Sequence, residues 1–125
     1  MIVFMKNAID RLIDKIKETN NPSIMGLDPR YELLPGCVLK KYPNTIEGVS
    51  KAILEYNKNI IDEIYDIIPA IEPQIAFYEM FGVYGIKTFE ETCKYAKSKG
   101  MIVVADIKRG DIGSTAMRLF KCIFR

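Results

Sequence analysis

The stretch Met101-Ile102-Val103-Val104-Ala105-Asp106-Ile107-Lys108-Arg109-Gly110-Asp111-Ile112-Gly113-Ser114-Thr115 decides the fold of this 125-residue chain. Five apolar residues open it and a polar, glycine-bearing loop closes it. A short continuous apolar run bounded by such a loop predicts a strand buried on both faces, as in a parallel sheet. Side chains alternate along a strand, so Asp106 and Lys108 are expected on one face and Ile107 on the other. Both polar residues then stand at the carboxyl end of the strand, where open α/β sheets and barrels bind ligands. Asp111 follows in the loop and completes an Asp-Lys-Asp array.

Working outward, the same alternation of elements repeats. Before the strand, a helix is predicted from about Gly85 to Ser98, closed by Gly100. AIEPQIAF, Ala70 to Phe77, reads as a second buried strand with a break near Pro73. A long helix is predicted from Thr45, its N-cap, to about Ile68, with Ile53, Ile60, Ile64 and Ile67 along one face and Pro69 as its stop. Ser23 to Leu27 reads as the first strand, ending at Asp28. The connection after it is rich in proline, though LPGCVLKKY has room for a helical turn. Ile9, Leu12, Ile13 and Ile16 fall on one face of an opening helix that Asn20, Asn21 and Pro22 end. The last residues start another helix. Strands separated by helices imply right-handed crossovers and a parallel sheet. A small doubly wound sheet and part of a (β/α)8 barrel both fit this order. No GxGxxG follows the first strand, so the dinucleotide fingerprint is absent.

Composition removes several kinds of chemistry. The chain has no histidine, so histidine-based triads, zinc sites and acid–base catalysis cannot be built within it. Its three cysteines, Cys37, Cys93 and Cys122, form no CxxC pair and read as reduced, mostly packed thiols, with no metal site expected. Eighteen basic and sixteen acidic residues give a net charge of +2, no argument for nucleic acid or anionic lipid. No apolar run approaches the roughly 20 residues of a membrane span. The opening residues lack the pattern of a signal peptide. A cytoplasmic protein is expected.

Spacing alone leaves two readings of the Asp-Lys-Asp array open. Flanking carboxylates favour the ammonium form of a lysine, which suits a proton donor or a cation clamp and not a Schiff-base nucleophile. The same residues also suit an ion network that merely holds the strand end.

The sequence D-I-K-R-G-D-I-G-S-T, Asp106 to Thr115, resembles the signature of the orotidine 5'-phosphate decarboxylase family in its longer bacterial branch. GLDPR, Gly26 to Arg30, resembles the end of that family's first barrel strand, and PQIAFYE, Pro73 to Glu79, the end of its second. The resemblance runs to about Ala116. It implies the N-terminal portion of a (β/α)8 barrel, about three βα units preceded by a helix, with residues 1–125 as one partial barrel domain. It implies decarboxylation of orotidine 5'-phosphate to UMP in pyrimidine biosynthesis, without a cofactor or metal. Lys108 would protonate C6 as carbon dioxide leaves, and Asp106 would lie beside the substrate carboxylate. Asp111, Ile112 and Thr115 would reach the neighbouring subunit's site in a homodimer. Asp28 would contact the ribose hydroxyls.

Two departures accompany the resemblance. The family carries a lysine just before Pro-Gln, where this chain has Glu72. One cation and three anions then replace two of each, and like charges without partners are costly in a dry site. A complete barrel takes about 250 residues, so the family's later strands and phosphate-binding loops lie outside these 125. Little catalysis is expected from these residues alone, and their exposed strand edges and sheet face are expected to favour association. Two alternatives accompany this reading. One is a phosphosugar lyase of the Asp-x-Lys-x-x-Asp type that uses magnesium. The other is a non-catalytic barrel fragment that self-associates or pairs with a full-length barrel.

Overall fold

The computed structural model describes residues 6–110 and 112–123. Helix α1 (Ala8–Thr19) begins at Asn7, whose side chain accepts the Asp10 amide, and ends at Asn20, which turns left-handed at φ 50°. Strand β1 (Ile24–Leu27) follows, then a 3-10 turn (Tyr31–Leu33) and the short helix α2 (Gly36–Leu39). Helix α3 (Ile46–Ile64) is capped by the Thr45 hydroxyl. Strand β2 (Ala70–Pro73), the single turn α4 (Ala76–Glu79) and helix α5 (Gly82–Ser98) come next. Strand β3 (Ile102–Val103) and helix α6 (Gly113–Ile123) close the described chain.

The three strands are parallel, in the order β1-β2-β3. That order excludes a 2-1-3 arrangement. It is shared by a barrel and by the first half of a dinucleotide-binding sheet. Met25, Leu27, Ile71, Met101 and Val103 project to one side and pack with Ile60, Ile61 and Ile64 of α3 and Tyr95 and Ala96 of α5. A second cluster nearer the strand ends joins Val49, Ala52 and Ile53 of α3 to Tyr78, Phe89 and Ile107, with the Tyr78 and Phe89 rings edge to face at 5.3 Å.

The opposite sheet face is open. Ile24 is 43% exposed and Val104 37%. Helix α1 has its apolar residues on one face as expected, yet none of its residues is buried. The exposed apolar face expected of three strands is therefore present. It also explains why β3, expected to be buried, is only half-buried.

Three local expectations are corrected. Helix α3 ends at Ile64, four residues short of the expected Ile68, where the Ile67 amide bonds to the Ile64 carbonyl and tightens the last turn ahead of Pro69. The intervening turn brings Ile68 into the core. β2 ends at Pro73, and Ala76–Glu79 is helical, where a strand to Phe77 was expected. Cys37 is exposed, against the expectation of packed thiols. Cys93 does pack, and burial pushes its thiol up to about 11.

Close approach of α5 to α4 depends on Gly85. A Cβ there would lie 1.7 Å from the Tyr78 carbonyl oxygen and 2.7 Å from its carbon. Backbone cannot swing aside as a side chain can. Gly85→Ala is expected to cost about 3 kcal/mol, the upper end of overpacking. Gly36→Ala meets nothing within 4 Å and is expected to stay within about 0.5 kcal/mol of the parent. Urea unfolding of the two variants beside the parent checks both values, and equal midpoints would refute the contact.

Candidate active site

The site is built where the three strands end. Register sets its layers. Gly26 of β1 lies level with Glu72 of β2, and one step higher Gln74 bridges to Asp106. Glu72, Gln74 and Asp106 therefore share the open inner face. Backbone bonds extend the β2–β3 ladder past β3 itself: Val104 donates to Ile71, Asp106 to Pro73, and Ile75 to Asp106. This fixes the Asp106 main chain on both sides.

Gln74 orients the Asp106 side chain. Its Oε1 accepts the Ala76 amide at 3.3 Å, which turns Nε2 toward the carboxylate of Asp106, to which it donates. Lys108 Nζ pairs with the same Asp106 oxygen. The expected Asp106–Lys108 neighbourhood is present, but strand alternation does not produce it. Lys108 has left the strand at φ 47°, in the left-handed region. A β-carbon costs about 1–2 kcal/mol there, and non-glycine residues held in that geometry cluster at functional sites. The Asp106 side chain is 25% exposed and that of Lys108 70%, so the ammonium is presented to incoming molecules.

Glu72 is half-buried and makes no ion pair among the described residues. Gly26 leaves the neighbouring inner-face position without a side chain, and a Cβ there would meet nothing within 4 Å. Asp28 is exposed at the end of β1. Ile112, just before α6, and Thr115, in its first turn, are exposed. Asp111 lies outside the described residues. Among the described residues no three histidine, cysteine or carboxylate side chains form a metal-binding group.

Sequence reasoning missed what holds the strand ends together. The short helix α4 contacts both flanking loops. Phe77 carries the Arg30 guanidinium of the β1 loop 5.8 Å above its ring, and Glu79 pairs with Arg109 of the β3 loop. Between them Tyr78 points inward to the end of β1. The available signal was Pro73: it is the last residue of β2 and the last paired with β1, and the chain turns into α4 soon after it.

The comparisons with known proteins agree with this arrangement. Residues 22–125 match the family described as "Orotidine 5'-phosphate decarboxylase / HUMPS family". Over 116 residues the chain is 37% identical to the orotidine 5'-phosphate decarboxylase of Petrotoga mobilis, which covers 93% of this chain and 38% of that protein. Its identity to the Clostridium novyi enzyme of the same name is also 37%, covering 93% and 39%. Among solved structures, Leishmania donovani OMP decarboxylase superposes with a TM-score of 0.71 at 28% identity, over 96% of this chain and 40% of that one. UMP synthase of the same organism superposes at 0.73 with 27% identity, over 97% and 23%. The chain spans about two fifths of the length of the curated relatives it matches. Superposition on these barrels decides between the two architectures: β1 to β3 are barrel strands, not half of a dinucleotide-binding sheet. With the Asp106–Lys108 pair at the strand ends, a sequential parallel sheet and this match over most of its length, the chain belongs to the orotidine 5'-phosphate decarboxylase / HUMPS family.

Proposed function

We propose that the full-length protein decarboxylates orotidine 5'-phosphate to UMP, in the cytoplasm, as a homodimer with sites shared across the interface. The observation that carries this reading is the Asp106–Lys108 pair, oriented by Gln74 at the carboxyl ends of the parallel strands. The C6–carboxylate bond breaks, carbon dioxide leaves, and the electron pair stays on C6. The Lys108 ammonium stabilises that developing charge and then gives C6 its proton. A fixed cation aimed at charge that appears only in the transition state accelerates the step rather than merely tightening binding. Asp106 holds the ammonium and lies beside the substrate carboxylate. Asp28 takes the ribose hydroxyls, and Asp111, Ile112 and Thr115 complete the site of the partner subunit. Glu72 stands in the position of the family's second lysine. Residues 1–125 contribute the first part of one barrel domain.

The reaction takes up one proton per carbon dioxide released and needs no metal. Turnover of orotidine 5'-phosphate by the full-length protein is therefore expected to be the same before and after EDTA treatment, read as carbon dioxide release and UMP formation. Loss of activity with EDTA and its return with magnesium would favour the phosphosugar lyase reading. No turnover in either arm would overturn the proposal.

A further inference from the structure

Beneath the strand ends lies a buried polar chain that the reaction does not use. Asn57 of α3, Tyr78 of α4 and Thr92 of α5 are each fully buried. The Tyr78 hydroxyl donates to the Leu27 carbonyl at 3.2 Å. Asn57 Nδ2 donates to the Tyr78 hydroxyl at 2.9 Å and to Thr92 Oγ1 at 3.1 Å. Leu27 is the last residue of β1, paired with Pro73, and Asp28 is the next residue.

The direction of this chain is forced. A carbonyl can only accept, so the Tyr78 proton goes to Leu27. The group facing the hydroxyl from the other side must then be a donor, which fixes the Asn57 amide with Nδ2 toward Tyr78 and Thr92. Both Nδ2 protons are used. Oδ1 is left buried without a partner. A native core seldom leaves such an atom unpaired. Here it is the consequence of spending both amide protons on the line to β1. Burial also pushes the Tyr78 hydroxyl far above its ordinary range, so it stays protonated and donating at any working pH.

We infer that Asn57, Tyr78 and Thr92 are positioning residues that set the height of Asp28 over the site by fixing the last carbonyl of β1. This rests on the decarboxylase reading, in which Asp28 binds the ribose. The β1–β2 ladder ends at Leu27, and from there the tyrosine hydroxyl takes the place of a strand neighbour. Tyr78 is borne by the same turn whose Glu79 pairs with Arg109 and whose Gln74 neighbour orients Asp106. One buried ring thus couples the β1 end to the end that carries the chemistry. Precision of this kind comes from supporting contacts beneath the groups that touch substrate.

The test uses the full-length protein with Tyr78→Phe and Thr92→Val. Tyr78→Phe keeps the ring and removes the donor to Leu27. Amide exchange at Leu27, Asp28 and Arg30, the residues of the 27–30 stretch that carry an amide proton, is expected to accelerate about tenfold, the effect of one net hydrogen bond, while exchange in the middle of α3 and α5 stays as in the parent. KM for orotidine 5'-phosphate is expected to rise about tenfold with kcat changed less than about twofold, since the ribose contact acts on binding. Thr92→Val leaves the bond to Leu27 in place and loosens only its far support. It is expected to speed exchange over the same residues about threefold, and it keeps the inference testable if Tyr78→Phe does not fold. Thr92→Ser, which retains the acceptor, is expected to behave as the parent. Unchanged exchange over 27–30 in both Tyr78→Phe and Thr92→Val, or acceleration spread evenly through α3 and α5, would overturn the inference. If the parent protein neither turns over nor binds orotidine 5'-phosphate, the decarboxylase reading fails, and the exchange data still decide whether this chain fixes the end of β1.

Discussion

Glu72→Lys in the full-length protein is expected to raise kcat/KM for orotidine 5'-phosphate by about 10²- to 10³-fold, the worth of one well-placed charge in a preorganised site. Position 72 faces the inner side of β2, one layer below Gln74 and Asp106. A carboxylate there adds an anion to the inner face that carries Asp106, whose paired cation is Lys108. The substrate brings a carboxylate and a phosphate of its own. Like charges in a space shielded from water repel strongly and weaken the binding of an anionic ligand. A lysine at 72 replaces that anion with a second cation. Space for it exists, because Gly26 leaves the adjacent inner-face position without a side chain. Its stem would run up the sheet toward Asp106. Glu72→Gln removes the negative charge without supplying a positive one, so its rate is expected to fall between the two. Steady-state kinetics of the three proteins at low and moderate salt separate the contributions. Equal kcat/KM for all three would show that position 72 does not sense the substrate.

The layered position of Glu72 also shows how far the sequence can be read. The buried strands and the placing of Asp106 at the carboxyl end of the third were legible from apolar runs and their charged ends, whereas the register that sets Glu72 level with Gly26 was not. The helices were legible from their caps and periodicity: Thr45 and Gly100 act at their termini as expected. What was not legible depends on contacts between segments distant in sequence. Gln74 orients Asp106 across 32 positions, and Tyr78 reaches Leu27 across 51. No local pattern encodes such a pair, because the propensity of a glutamine or tyrosine does not depend on a partner that distant. Lys108 shows a subtler limit. Alternation placed it beside Asp106, and it is beside Asp106, but through a left-handed backbone that alternation does not contain. The open inner face, with Ile24 and Val104 exposed, is a property of three strands without neighbours and not of any residue choice.

That left-handed lysine supports a second result of large size. Lys108→Gly in the full-length protein is expected to lower kcat by about 10²- to 10⁴-fold, the usual contribution of a positioned proton donor, and at the same time to raise stability by about 1 kcal/mol. The two effects have separate causes. Glycine adopts φ near 47° without the clash that a β-carbon brings, so the folded state is relieved. Part of that gain is offset because a free glycine is more mobile in the unfolded chain. The ion pair that is lost subtracts little: the Lys108 side chain is 70% exposed, and exposed pairs are worth about 0–1 kcal/mol. Asp106 keeps its hydrogen bond from Gln74, so its carboxylate is not left alone. Lys108→Ala is expected to match the glycine variant in activity without its gain in stability, because alanine retains the clash. The pair of variants therefore separates the two readings that the Asp-Lys-Asp spacing left open. If Lys108 served only to hold the strand end, replacing it would cost stability and spare turnover. A residue kept in a strained backbone for its chemistry gives the opposite signs, a more stable protein that no longer delivers the proton. Thermal unfolding and single-turnover decarboxylation of Lys108→Gly and Lys108→Ala read both, and a glycine variant that is less stable yet still active would place Lys108 in the scaffold.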